Sequence, residues 1–135
     1  MIEIKDAHED DIIEFNHCYD KNNKRDIIMS VSPLNTLKIW NTKNWECLLF
    51  LTKINSTGLL SSSCFIKNNN ECNIVTSNSH YGVGIEEIKI FNLQGVMVKK
   101  IKNSNDSTLF IDTYYDYDEE NIKTKTYIIV ALPES

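Results

Sequence analysis

Leu37-Lys38-Ile39-Trp40-Asn41 decides the fold, because the chain returns to the same pattern at Ile88-Lys89-Ile90-Phe91-Asn92. Both stretches read apolar, Lys, apolar, aromatic, Asn. Upstream, His17-Cys18-Tyr19-Asp20-Lys21-Asn22-Asn23 matches Ser63-Cys64-Phe65-Ile66-Lys67-Asn68-Asn69 at an offset of 46 positions. The same offset sets Ile27-Ile28-Met29-Ser30 over Asn73-Ile74-Val75-Thr76. Agreement between separate stretches on nearly one offset marks a repeat protein with a unit of roughly 46 to 51 residues.

Within the first unit, Leu37 and Ile39 fall on one face of a strand and Thr36, Lys38 and Trp40 on the other, the period-two alternation of a half-buried strand. Arg25–Ser32 carries a short apolar run without helical spacing and reads as an inner strand covered on both faces. Ile12–Tyr19 before it and Trp45–Leu51 after it complete four strands. They are separated by Asp20–Lys24, Ser32–Asn35 and Asn41–Asn44, which are turn-forming stretches. The second unit repeats the order at Gly58–Ile66, Glu71–Ser77, Glu86–Asn92 and Val96–Ile101. A longer glycine-containing loop at Asn78–Glu87 lies between its inner strands. A third unit starts at Thr108–Tyr115, pauses in an acidic loop at Asp116–Lys125 and resumes at Thr126–Leu132. Met1–Lys5 alternates as one further strand, expected to complete a preceding unit, so the chain is expected to be cut within units at both ends. The fold class expected is all-β, with antiparallel four-stranded meander repeats and no complete ring within one chain.

The unit resembles the WD40-repeat β-propeller family in its length, its four short strands and its Leu-Lys-Ile-Trp-Asn ending, with Asn41 where that family usually has Asp. The resemblance implies blades over residues 8–51 and 57–101 and an incomplete one over 108–135. It also implies a buried hydrogen-bond network joining a His before the first strand, a hydroxyl on the second strand, an Asp before the third and the Trp that ends it. Residue by residue these positions are His8, Ser30 and Trp40, with Leu34 at the Asp position. In the second unit Thr76 matches the hydroxyl and Phe91 the Trp, Ser56-Thr57 lies near the His position, and no Asp precedes the third strand. Independently of the resemblance, meander sheets with apolar faces gain cover by stacking around an axis, and known propellers use four to eight blades.

Composition narrows the function classes. The 135 residues include 41% hydrophobic and 24% charged side chains and carry a net charge of −5, which is globular and disfavours a nucleic-acid partner. The four cysteines lack CxxC spacing. Cys18, Cys47 and Cys64 sit in strand-like apolar runs and read as buried free thiols, which implies an intracellular location, cytoplasmic or nuclear. No signal peptide or membrane-length apolar run is evident.

His8 reads as a member of the blade network, with a solvated turn residue or a ligand as alternatives. His17 and Cys18 are adjacent on one strand, point to opposite faces and cannot share a ligand sphere. Ser61, Ser62 and Ser63 lack a nucleophile-elbow setting, and Gly82-x-Gly84 is not placed between a strand and a helix as a phosphate loop would be. The acidic stretches Glu9-Asp10-Asp11 and Asp116–Glu120 have no calcium-loop pattern. No catalytic residue, metal site or cofactor is therefore expected. Candidate partner contacts are His80 and Tyr81 in the glycine-containing loop, and Tyr115, Asp116, Tyr117 and Asp118, where tyrosine supplies contact area and carboxylates select a basic partner. The function expected is a non-enzymatic protein-interaction scaffold or adaptor segment. Its partners would be proteins, either further copies or the remaining blades of a longer protein, with no nucleic acid and no membrane. A purely structural subunit of an assembly and a small ligand-binding β-sandwich are the alternatives.

Overall fold

Alternation, not helical spacing, dominates the chain, and the elements it forms are strands. The computed structural model describes residues 3–54, 59–68, 71–79, 87–102, 110–118 and 123–131, the last two stretches as backbone. β1 (Glu14–Asp20), β2 (Arg25–Ser32), β3 (Thr36–Asn41) and β4 (Cys47–Leu51) form one four-stranded sheet in the order β1-β2-β3-β4. β5 (Leu59–Asn68), β6 (Glu71–Ser79), β7 (Glu87–Asn92) and β8 (Met97–Lys102) form a second with the same order. β9 (Phe110–Asp118) and β10 (Lys123–Ala131) pair as a third, two-stranded sheet. Each strand is antiparallel to its neighbour, so both large sheets are meanders, and no closed ring forms among the described residues.

Register shows how faithfully the second sheet copies the first. Ser30 lies between Phe15 and Lys38, and Thr76 lies between Ser63 and Lys89. The third-strand ladders slip at the same place, between Ile39 and Trp40 in one sheet and between Ile90 and Phe91 in the other. Such a slip bends the strand locally and increases its twist. Asn41 and Asn92 perform one job: their side-chain oxygens accept the amides of Lys43 and Gln94, each at 3.0 Å. Their amides in turn donate to Glu46 and Val96 carbonyls, each at 2.9 Å. This Asx turn explains why the repeated pattern ends in Asn. Each turn then needs a left-handed residue, supplied by Trp45 at φ 59° and by Gly95 at φ 83°.

The sheets pack in sequence. The face of the first sheet bearing Cys18, Ile27, Met29, Val31, Leu37 and Ile39 packs on the face of the second bearing Phe65, Cys72, Ile74 and Phe91, forming the main core. The opposite face of the second sheet, with Cys64, Val75, Ile88 and Ile90, forms a smaller core. The first strands of consecutive sheets run close together: β1 approaches β5, and β5 approaches β9, with Cα atoms within 8 Å. At the first of these approaches Asn16 Nδ2 donates to the Ser63 carbonyl at 3.2 Å, and Glu14 Oε2 accepts the Ser63 amide at 2.9 Å. First strand beside first strand, with faces stacked, is a propeller-like arrangement left incomplete.

Five expectations are corrected. Glu3–Lys5 is irregular chain leading into a turn and not a strand, while Met1 and Ile2 lie outside the described residues. Asp116–Asp118 and Lys123–Lys125 belong to strands, because β9 and β10 pair through Asp118↔Lys123, so only residues 119–122 remain between them. Cys47 is exposed; it opens β4, the edge strand of the first sheet. Equivalence of the first strands by hairpin pairing runs Phe15 to Ser63 and Cys18 to Ile66, an offset of 48, so Cys64 does not occupy the place of Cys18. The longer loop also shrinks, since β6 extends to Ser79 and β7 begins at Glu87.

Candidate functional site

The outer face of the first sheet is the candidate site. Alternation on β1, β2, β3 and β4 places Phe15, Ser30, Lys38 and Phe50 in one row across the sheet, on the face turned away from the main core. Beside it runs His17, Ile28 and Trp40. At the middle of the face three elements converge. Trp40 Nε1 donates to Ser30 Oγ at 2.9 Å, and His8 Nε2 stands 2.7 Å from the same oxygen. His8 Nδ1 stands 2.9 Å from Thr36 Oγ1. One proton arrangement satisfies all three contacts: Trp40 donates to the Ser30 oxygen, neutral His8 accepts from the Ser30 hydroxyl, and His8 donates through Nδ1 to Thr36. Burial, with the Lys38 charge second, holds His8 below its ordinary imidazole value and so favours that neutral form, against a hydrogen bond to Ser30 that works the other way.

Thr36 is the member that residue spacing did not reveal. The position carried over for an Asp, Leu34, is exposed, while Thr36 two residues on opens β3 and turns its hydroxyl to His8. A hydroxyl at the start of a strand that follows a turn is a weak signal, since threonine is common in strands for its shape alone. In the second sheet Thr76 and Phe91 are buried at the corresponding places, but the Phe91 ring has no N–H and cannot donate as Trp40 does.

Around this network the face is apolar and open. Phe15 is 65% exposed, Phe50 53% and Tyr19 42%. The Lys38 ammonium lies 4.6 Å from the centre of the Phe50 ring and 5.5 Å from that of Trp40, a cation–π geometry. His17, at the rim, is 2.8 Å from Asp26. The corresponding face of the second sheet has a different fate. Phe65, Ile74 and Phe91 there are buried under the first sheet, and Lys89, the counterpart of Lys38, donates to the Ile54 carbonyl at 2.7 Å.

Among the other sequence candidates, His80 and Tyr81 lie outside the described residues. Tyr115, Asp116, Tyr117 and Asp118 form the last turnward half of β9, opposite Thr126, Lys125, Thr124 and Lys123 in the ladder. They are not brought to the first sheet's outer face. Among the described residues no group of three or more His, Cys, Asp or Glu side chains is placed to hold a metal ion. No helix among them is long and apolar enough to cross a membrane. No protein-family model matches the chain, and no curated protein matches it either.

Proposed function

We propose that the chain is a non-enzymatic protein-interaction segment of a WD40-type propeller, with blades over residues 8–51 and 57–101 and a partial one over 108–135. In this reading the outer face of its first sheet receives a further β-sheet. One observation carries the reading. The two large sheets present equivalent faces in the same direction; the second sheet's is covered by the first, and the first sheet's holds Phe15, Phe50 and Tyr19 in the open. What covers the second sheet is an aliphatic surface of Ile27, Met29, Leu37 and Ile39. A partner sheet with a similar aliphatic surface fits the open face by the same packing, with Phe15 and Phe50 as anchors at its two sides.

His8, Ser30, Thr36 and Trp40 act here as a structural clasp that holds the irregular segment before β1 against the sheet. Thr76 and Phe91 serve the second blade by packing. His80 and Tyr81, and the strand-borne Tyr115, Asp116, Tyr117 and Asp118, are secondary contacts for a protein partner. The test is the fluorescence of an apolar dye added to the folded chain. Wild-type protein should enhance it, and the surface variant Phe15→Lys with Phe50→Lys should lose most of the enhancement while keeping its β-sheet circular dichroism. Equal enhancement by both proteins overturns the assignment of this face.

A further inference from the structure

Cys18 and Cys72 come from consecutive sheets and meet inside the main core. Cys18 is on β1 and Cys72 on β6, 54 positions apart, and both are buried. Their sulfur atoms are 2.7 Å apart, against the roughly 2.05 Å of a disulfide bond. The Tyr19 carbonyl faces both thiols, at 3.8 Å from Cys18 Sγ and 3.4 Å from Cys72 Sγ. Cys72 also lines a polar cleft of ≈ 130 Å³ whose walls include Asp20, Asn23, Asn73, Asn92 and Gln94. Cys72, and not Cys18, thus borders the cleft from which a small polar oxidant would approach the pair.

We propose that Cys18 and Cys72 are a disulfide-forming pair, a redox-operated staple that joins the first sheet to the second, with hydrogen peroxide or another hydroperoxide as the oxidant. The site does not depend on what docks against the outer face. Its first step is attack by the Cys72 thiolate on one peroxide oxygen, breaking the O–O bond to give Cys72 sulfenic acid and hydroxide. In the second step the Cys18 sulfur attacks the Cys72 sulfur, the S–O bond breaks, and the departing hydroxide takes up a proton as water. Two thiols lose two electrons and two protons in total, and one peroxide becomes two waters. The division of roles follows from the cleft, which opens on Cys72. It also follows from the hydrogen bond between the two sulfurs, which holds the Cys72 thiol below its ordinary value and pushes that of Cys18 above it. The Lys67 charge favours both thiolates, while the Asp20 carboxylate opposes them.

The experiment uses the whole chain carrying Cys47→Ser, which removes the exposed thiol. The folded protein is treated with hydrogen peroxide, alkylated, digested without reductant and mapped by mass spectrometry. The expected result is a linked peptide pair containing Cys18 and Cys72, two hydrogens lighter than the separate peptides. A reductant-reversible rise in Tm of roughly 10 °C should accompany it. A Cys18→Ser variant should instead accumulate a dimedone-reactive Cys72. If that variant does not fold, the peptide map of the parent protein decides. Cys18 and Cys72 still alkylated after peroxide, Cys72 overoxidised without a link, or a link to Cys64 each overturns the proposal.

Discussion

Replacing Ser30 by Ala tests the clasp on the first sheet where it is most concentrated. Ser30 is 1% exposed, and its hydroxyl oxygen is shared by Trp40 Nε1 at 2.9 Å and His8 Nε2 at 2.7 Å. Removing it strands the Trp40 donor, which is buried with its ring, and a stranded buried donor costs about 1–3 kcal/mol. His8 is half-buried, so water recovers part of its lost bond, and we assign it no more than about 1 kcal/mol. The expected loss for Ser30→Ala is therefore about 1–4 kcal/mol. Urea unfolding followed by circular dichroism measures it as a lower midpoint with an unchanged slope. The informative quantity is the coupling to Trp40→Phe, which places in the first sheet the ring found at Phe91 in the second. If Ser30 acts through the indole N–H, its removal costs about 1–2 kcal/mol less in the Trp40→Phe background. Costs that add to within about 0.4 kcal/mol in the double mutant would refute the network as an energetic unit.

Gly95→Ala should destabilise by about 1–3 kcal/mol, because φ is +83° and the new Cβ would stand 3.0 Å from both Leu49 Cδ1 and Leu51 Cδ2; the same urea titration checks it. Met29→Ala should cost about 2–5 kcal/mol, since the side chain is wholly buried between the two large sheets and the cavity has no access to water. Acidification should weaken the fold through His8. Its value in the folded chain lies below the ordinary 6.5, so the unfolded chain binds the proton first. The contribution is complete above about pH 6.5–7. It fades as the pH falls through the folded value, and His8→Gln should flatten this part of the Tm–pH profile. Asn92→Ala should cost about 1 kcal/mol by releasing the Gln94 and Val96 amides held at 3.0 and 2.9 Å, seen as a lower Tm.

Legibility in the sequence followed the physics of each segment. Strands with one buried face announced themselves: Thr36–Asn41 alternates in sequence and in burial, and its echo at Glu87–Asn92 does the same. The duplicated Asn41 and Asn92 could be matched by pattern, but their role as Asx-turn acceptors required coordinates. The first strands misled by two residues because Cys18 and Cys64 are chemically identical and sit on equivalent faces, where a slip of two keeps the pattern intact; only the pairing partners Ile27 and Val75 reveal that the positions differ. The acidic run at Asp116–Asp118 suggested a loop by composition, whereas it lies within β9, whose register sets Asp116 opposite Lys125 and Asp118 opposite Lys123. Thr36 and the Cys18–Cys72 meeting were not legible, since both depend on contacts between segments 28 and 54 residues apart. The open face was not legible residue by residue, because which aromatic is covered and which exposed is a property of sheet stacking.

The most direct test of the open-face account is the solution mass of the 135-residue chain, measured by light scattering across a hundredfold range of concentration. An uncovered face bearing Phe15 and Phe50 predicts a mass that climbs from 15.6 kDa toward a multiple of it as concentration rises, and that stays at 15.6 kDa in the variant carrying Phe15→Lys and Phe50→Lys. A folded wild-type chain that holds 15.6 kDa at every concentration would contradict the account, as would association unchanged by the two substitutions.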